Sequence, residues 1–290
     1  MATSLENIIS DTEINRMTQK REKYKGILYD TDHHYPYMDK GMAKVEKQIL
    51  EEEKPWMHIM GGDWIDGAGL SGFDPSPDYI MKTQDEIDGF VEHLGELYQA
   101  SPDTKRVLIY GNHDEARKQL AAKERNAFGL STLRVLNFKN IFKEAAEYKG
   151  VEIGDIEFAM EYEVGPKGKG ILFVHGDKRL GGRQAALKGG VTGIRRNTSE
   201  FPYQGRAVVI GHGHRMQTGV HPWVDTEFHM VGWMGDNDKV GYPPHTRYQN
   251  GLMWIDYSPN SRPDPIFHIN NIKVQPNREF VLNGKTYQAK

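Results

Sequence analysis

The chain has 290 residues, of which 37 are Lys or Arg and 40 are Asp or Glu, so its formal net charge is −3. Hydrophobic residues make up 38% and charged residues 27%, a balance typical of folded globular proteins and unlike that of disordered chains. The small net charge gives no argument from composition for a nucleic-acid partner or an acidic substrate. The absence of cysteine excludes disulfides, thiolate zinc sites and a Cys nucleophile, which leaves imidazole, carboxylate and amide groups as the strong metal ligands.

Residues 1–25 are polar and charged, and they predict an N-terminal arm or surface helix that leads into the first strand. The segment lacks the apolar stretch of a secretory signal. The sequence also contains no run of about 18 apolar residues that could span a bilayer. We therefore expect a cytoplasmic protein with no membrane partner.

Five short apolar runs predict buried strands, at residues 26–29, 56–60, 106–110, 171–174 and 207–210. Segments with helical spacing lie between them, at 42–53, 79–100, 115–123 and 132–149. This alternation predicts a mainly parallel sheet. Residues 151–164 show strand alternation broken at Gly154 and Asp155, and residues 166–170 predict a turn into the next strand, so we expect hairpins here. The chain from residue 226 onward is strand-rich, with turns at 257–265 and 283–284. The predicted fold class is α/β, a two-sheet sandwich forming one domain over residues 26–290, with a helical insert at about 115–149.

Each of the five predicted strands is followed directly by side chains that bind metals. They are Asp32 and His34, Asp63 and Asp66, Asn112 and His113, His175, and His212 and His214. Ligands of α/β sheets bind at the carboxyl ends of strands, so we expect these groups to meet in one crevice. Residues two apart on an extended segment point to the same side, so the two paired sets should each address a common point. Glycines at 62, 111, 211 and 213 permit the tight turns that such a site requires.

The same residues form five short motifs. They are D-x-H at 32–34, G-D-x-x-D at 62–66, G-N-H-D at 111–114, H-G at 175–176 and G-H-x-H at 211–214. With all five motifs in this order over residues 26–214, the chain resembles the calcineurin-like metallophosphoesterases. Pro36 and the helical insert after Asp114 most resemble small members from phage and bacteria. One such motif occurs often by chance, whereas five in order do not.

The resemblance implies an αββα sandwich of the metallophosphoesterase type that holds two divalent metal ions. It places one ion on Asp32, His34, Asp63 and His214, and the other on Asp63, Asn112, His175 and His212. Asp63 would bridge the two ions, and a metal-bridging hydroxide would attack phosphorus. Mixed imidazole, carboxylate and amide ligands suit Mn, Fe, Zn, Co or Ni better than Ca or Mg, and we expect manganese.

The resemblance also implies three catalytic residues beyond the ligands. His113 would stabilise or protonate the leaving oxygen, because the ordinary pKa of imidazole, about 6.5, lies near working pH. Asp66 and Asp114 would orient neighbouring imidazoles.

The D-T-D-H-H run at residues 30–34 offers Asp30 as an alternative first ligand. Its partner would then be His33, three residues away and directed to the opposite face of an extended segment. The spacing from Asp32 to His34 favours Asp32. We expect the histidines outside the motifs, among them His58 and His93, to be surface or packing residues.

A basic segment at residues 178–206 follows the fourth strand. Its candidate substrate contacts are Lys178, Arg179, Arg183, Arg195 and Arg196. A positive rim of this kind would attract a phosphate-rich substrate such as nucleic acid or a nucleotide. The alternative is a solvated surface without a binding role.

The sequence therefore predicts a dinuclear metal-dependent phosphoric ester hydrolase. A phosphodiesterase that acts on nucleic acid or a nucleotide is favoured, because a diester requires a stabilised leaving alkoxide and His113 can provide it. The alternative within enzymes is a phosphomonoesterase or protein phosphatase. The alternative of another class is a metal-binding scaffold without turnover.

Overall fold

The computed structural model describes residues 24–67, 83–114, 138–176, 203, 205–220, 225–239, 248–261 and 265–289. The helices in these ranges are α1 (Lys40–Glu53), α2 (Thr83–Ala100) and α3 (Phe138–Lys149). The strands are β1 (Lys25–Asp30), β2 (Met57–Met60), β3 (Lys105–Ile109), β4 (Ile156–Ala159), β5 (Glu161–Val164), β6 (Ile171–Val174), β7 (Ala207–Ile210), β8 (Gln217–Val220), β9 (Glu227–Met230), β10 (Gly251–Ser258), β11 (Ile266–Lys273), β12 (Glu279–Leu282) and β13 (Lys285–Gln288).

The strands form two large sheets and a separate hairpin. The six-stranded sheet has the order β11-β10-β1-β2-β3-β4. Strands β1 to β4 are parallel to one another, β10 is antiparallel to β1, and β11 is antiparallel to β10. The five-stranded sheet has the order β5-β6-β7-β9-β8, with β6, β7 and β9 parallel and the two edge strands antiparallel. Strands β12 and β13 pair only with each other. The predicted parallel arrangement therefore applies to the centre of each sheet.

Strand periodicity divides the core into two layers. In β1, Ile27 and Tyr29 pack toward Phe173 of the five-stranded sheet, whereas Leu28 faces the helices. Successive strand residues point to opposite faces, and all three side chains are fully buried because both faces of the sheet are covered. The two-sheet α/β sandwich predicted from the sequence is confirmed, with α1, α2 and α3 packed on the six-stranded sheet.

Helix α1 shows why the sequence forms a helix at this position. Asp39 is its N-cap, and its Oδ1 accepts hydrogen bonds from the backbone N–H groups of Gly41 and Met42. The buried residues Met42, Val45 and Ile49 follow at spacings of three and four, so one face of the helix meets the sheet.

The hairpins predicted over residues 151–170 are confirmed in part. Strands β4 and β5 lie in different sheets, and the chain crosses between them at Met160. The hairpin is formed instead by β5 and β6, across the predicted turn at 166–170. Local alternation identifies a strand but not its partner, because pairing depends on distant residues. The predicted helix at 115–123 lies outside the described residues. Among the helices of the described ranges, none combines the length and apolar content of a transmembrane span.

Candidate metal centre

The predicted ligands lie at the carboxyl ends of five parallel strands, three in one sheet and two in the other. Asp32, Asp63 and Asn112 follow β1, β2 and β3, while His175 and His212 follow β6 and β7. The loops after β1 and β2 are joined by backbone hydrogen bonds from the Asp32 N–H to the Gly62 carbonyl (3.0 Å) and from the His34 N–H to the Asp63 carbonyl (2.9 Å). The expected convergence of both sheets on one crevice is therefore present.

The first group of potential ligands consists of Asp32, His34 and His214, all buried. The Asp32 Oδ1 atom lies 3.1 Å from His214 Nε2 and 3.8 Å from His34 Nε2. Its other oxygen, Oδ2, accepts hydrogen bonds from the Thr31 hydroxyl and the His212 backbone N–H, both at 2.8 Å. One carboxylate oxygen is thereby held by the protein while the other faces the two imidazoles.

The second group of potential ligands consists of Asp63, His175 and His212. The Nε2 atom of His175 lies 3.1 Å from Asp63 Oδ2 and 3.0 Å from Asn112 Oδ1. The other ring nitrogen, Nδ1, is 2.8 Å from the Gly61 carbonyl oxygen, to which it can only donate. This hydrogen bond places the proton on Nδ1 and directs Nε2 at the ligand oxygens. In metal sites, a hydrogen bond from the second ring nitrogen of a ligating histidine orients the ring in the same way.

Asp63 connects the two groups. Its Oδ2 atom lies 3.7 Å from His34 Nε2 on one side and 3.1 Å from His175 Nε2 on the other. Its Oδ1 atom accepts a hydrogen bond from the His113 backbone N–H at 2.9 Å. The carboxylate is thus positioned to contribute to both groups.

The donor set fits divalent transition metals. Metal–ligand bonds of about 2.1 Å imply separations of about 3.0 to 3.5 Å between neighbouring ligand atoms. The pairs at 3.0 and 3.1 Å around His175 and His214 lie in that range, and the pairs involving His34 are slightly wider. The two groups therefore fit the predicted sub-sites, and the ligand residues and metal identities remain predictions.

The backbone around the ligands is left-handed rather than extended. Positive φ angles occur at Asp32 (58°), His34 (46°), Asp63 (53°), His212 (60°) and His214 (51°). Asp32 with His34, and His212 with His214, therefore do not lie on the extended segments expected from the sequence. His214 belongs to the first group and His212 to the second, so these two side chains address different points. Non-glycine residues rarely adopt this conformation, and clusters of them are typical of functional sites.

The electrostatics of the site favour positive charge between the carboxylates. Burial alone would lower the pKa of His175, but the adjacent Asp63 carboxylate raises it to about 10. Burial would likewise raise the pKa of Asp63, but His175 and His113 hold it well below its usual range. Burial and the neighbouring His175 lower the pKa of His212 to about 4, which keeps that imidazole neutral and able to ligate.

The two predicted catalytic residues His113 and Asp66 lie together beside the first group. The Nδ1 atom of His113 donates a hydrogen bond to the Asp66 carbonyl, and the Asp66 Oδ1 atom lies 3.1 Å from His34 Nδ1. The rings of His113 and His34 are 4.8 Å apart, and the His113 side chain is 27% exposed. Asp66 is therefore within hydrogen-bond distance of His34, and His113 is partly exposed to solvent at the edge of the site.

Asp114 differs from its predicted contacts. Its oxygens accept hydrogen bonds from the backbone N–H groups of Asp63 (2.8 Å), Trp64 (3.2 Å) and Gly111 (2.8 Å) rather than from imidazoles. Burial, followed by repulsion from Asp63, raises the pKa of Asp114 to about 7. Asp114 is thus a positioning residue that ties the loop after β2 to the loop after β3.

Three further residues that contact the ligands were not predicted from the sequence to belong to the site. Thr31 hydrogen-bonds Asp32, and its place directly before the first motif was the available signal. Trp233 stacks on the His214 ring at a centroid distance of 4.8 Å, and Tyr248 meets the same ring edge-on at 4.6 Å. No spacing rule connects these aromatics to the motifs. The candidate substrate contacts Lys178, Arg179, Arg183, Arg195 and Arg196 lie outside the described residues.

No protein-family model and no curated protein matches the sequence. Solved structures with a similar fold do exist. They include Vps29 from Chaetomium thermophilum, 12% identical with a TM-score of 0.47 over 92% of this chain and 100% of that one. Vps29 from Cryptosporidium parvum is 13% identical, with a TM-score of 0.45 over 91% of this chain and 95% of that one. YfcE, a phosphoesterase from E. coli, is 12% identical, with a TM-score of 0.41 over 83% of this chain and 98% of that one. The function is therefore inferred from the residues of the metal centre.

Proposed function

We propose that this protein is a dinuclear metal-dependent phosphodiesterase that acts on nucleic acid or a nucleotide. The observation that carries the proposal is the position of the Asp63 carboxylate, whose Oδ2 atom lies within 3.7 Å of His34 Nε2 and 3.1 Å of His175 Nε2. A carboxylate shared between two imidazole-containing groups is the arrangement that a pair of divalent ions requires. Manganese is the ion that we propose, with Fe, Zn, Co and Ni as alternatives.

When bound, two such ions polarise the phosphoryl group and lower the pKa of water. The protein supplies the remaining functions. Asp32 and His214 would hold one ion, with His34 directed by Asp66, and His175 and Asn112 would hold the other.

His113 would donate a proton to the leaving oxygen of the substrate. The hydrogen bond from its Nδ1 atom to the Asp66 carbonyl leaves Nε2 as the atom that can pass a proton to the substrate. The ring is partly exposed, so a substrate can reach it. This role supports a diester substrate, because the departing alkoxide needs a proton as its bond to phosphorus breaks.

Metal content and turnover of matched variants test the proposal. Asp63→Asn should remove one or both active-site ions and abolish hydrolysis of bis-p-nitrophenyl phosphate in Mn²⁺. His113→Ala should retain the ions but lose about 10²- to 10⁴-fold in rate, with the larger loss on esters that have poor leaving groups. His268→Ala is the matched control, because that histidine is exposed on β11 away from the site. Full turnover by His113→Ala on alkyl esters would refute its role as the acid.

Substrate class is tested with a panel of single-stranded DNA, duplex DNA, RNA, cyclic nucleotides and phosphoproteins. A phosphodiesterase should prefer bis-p-nitrophenyl phosphate to p-nitrophenyl phosphate, and a nucleic-acid substrate should bind more weakly as salt rises. Preference for the monoester would support a phosphomonoesterase or protein phosphatase. Inactivity on every ester, with metals bound, would support a scaffold.

A further inference from the structure

A second group of buried acidic and imidazole side chains lies on the other side of the six-stranded sheet, beneath α1 and α2. It comprises two groups of potential ligands that share Glu46, one with Asp30 and His58 and the other with His33 and His93, and we call the five residues the helix-side cluster. The first four are fully buried and His93 is 6% exposed. The histidines were expected to be surface or packing residues, and the structure instead gathers them around two carboxylates.

Among the described residues, five atoms of this cluster have no hydrogen-bond partner. They are Asp30 Oδ1, Glu46 Oε1, both ring nitrogens of His33, and His58 Nδ1. Buried polar atoms are rarely left in this state, because each one without a partner costs about 1–3 kcal/mol. Several such atoms directed at one another therefore require an explanation.

Their separations match the edges of a coordination shell. His33 Nε2 lies 3.5 Å from Asp30 Oδ1 and 3.7 Å from Glu46 Oε1. His58 Nε2 lies 3.5 Å from the same Glu46 oxygen. These distances are at or beyond the limit of hydrogen bonding, whereas four ligands in a tetrahedron with bonds of about 2.1 Å stand about 3.4 Å apart.

The charge of the cluster also favours a bound cation. Asp30 and Glu46 bring two carboxylates into a region without solvent, where unpaired charge is strongly disfavoured. A single divalent cation neutralises both while the imidazoles stay neutral. His93 Nε2 lies 3.0 Å from the outer Glu46 oxygen, Oε2, which fixes the orientation of that carboxylate.

We propose that the helix-side cluster is a third, structural metal site for a transition-metal cation such as Zn²⁺. Asp30, His33, Glu46 and His58 are its ligands, and the Nε2 atom of His58 exchanges its 2.6 Å hydrogen bond to Asp30 Oδ2 for the metal. Four protein ligands without an open position are typical of structural rather than catalytic zinc sites. Because Asp30 and His33 flank Asp32, the bound ion would anchor the loop that carries the first active-site ligands.

Metal stoichiometry of purified, dialysed protein tests the proposal. The wild type should retain three equivalents, Glu46→Gln should retain two, and Asp63→Asn should keep at least the helix-side ion. Glu86→Gln is the matched control, since Glu86 is an equally buried carboxylate, on α2, that does not belong to the cluster. It should retain all three equivalents.

The outcomes separate this proposal from the proposed function. Two equivalents in the wild type, unchanged in Glu46→Gln and reduced in Asp63→Asn, would overturn the third site and leave the active-site pair intact. One equivalent that survives Asp63→Asn and is lost in Glu46→Gln would support the third site and contradict the pair. Should Glu46→Gln fail to fold, the Co²⁺-loaded double variant Asp32→Asn/Asp63→Asn, which lacks a carboxylate ligand of each active-site ion, decides. An intense visible absorption of tetrahedral Co²⁺ supports the site, and its absence refutes it.

Discussion

Gly111→Ala tests whether the Asp63 carboxylate is positioned by the close approach of the loops after β2 and β3. A Cβ at residue 111 would lie 2.8 Å from Asp63 Cγ and closer still to its Oδ1 and backbone N atoms. Carbon atoms in contact are about 3.5 to 4.0 Å apart, so the carboxylate and its loop must move by about 1 Å. The movement also strains the hydrogen bond from the Gly111 N–H to Asp114 and the bond from the His113 N–H to Asp63.

If Asp63 bridges the two ions as proposed, a displacement of this size in its carboxylate should lower kcat/KM by about 10²-fold. The loss of one hydrogen bond to a charged group adds about 1.5–3 kcal/mol of destabilisation. The assay combines turnover of bis-p-nitrophenyl phosphate, metal content and urea unfolding. Gly150→Ala is the control, because its Cβ would meet nothing within 4 Å. It should lose about 1 kcal/mol of stability through its left-handed φ, with unchanged activity. Wild-type turnover and metal content in Gly111→Ala would refute the positioning argument.

Three further predictions concern stability. Burial raises the pKa of Glu86 from 4.5 to about 7. The folded protein therefore binds the proton more tightly than the unfolded chain, and in chelator-treated protein the wild type should lose stability relative to Glu86→Gln as pH rises between those values. Urea unfolding at pH 5 and 8 should show a loss of at most about 3 kcal/mol. Asp39→Ala removes the α1 N-cap and should cost about 1–2 kcal/mol by the same measurement without changing turnover. His212→Gly should exceed His212→Ala in stability by about 1 kcal/mol in metal-free protein, because only glycine adopts a φ of 60° without strain.

The sequence predicts the central strands well because their signal is local. The runs at 171–174 and 207–210 coincide with β6 and β7, whose residues are buried on both faces and therefore apolar throughout. The partners of β4 and β5 could not be predicted in this way. Each has an ordinary alternating pattern, and membership of one sheet or the other is set by contacts far along the chain.

The same limit applies to the site. The motifs predict which residue types meet, because strand ends converge in any parallel sheet. They do not predict that Asp114 accepts backbone N–H groups of two loops, since that depends on how closely the loops approach. The helix-side cluster was missed for the same reason, because Glu46 and His93 come from helices whose packing on Asp30 and His58 no short motif records.

The left-handed backbone at the potential ligands separates the side chains of the metal centre from those of the helix layer. In an extended strand, alternation would continue past Asp30 and send successive side chains to opposite layers. The left-handed turn at Asp32 ends that alternation, so Asp30 stays in the helix layer while Asp32 enters the crevice. Such turns are unfavourable for non-glycine residues, but the backbone hydrogen bonds from Asp32 to Gly62 and from Met234 to Asp32 hold this one in place. The loop is therefore fixed by the sheets as well as by any metal, and substitutions that loosen the sheet ends should weaken the site without touching a ligand.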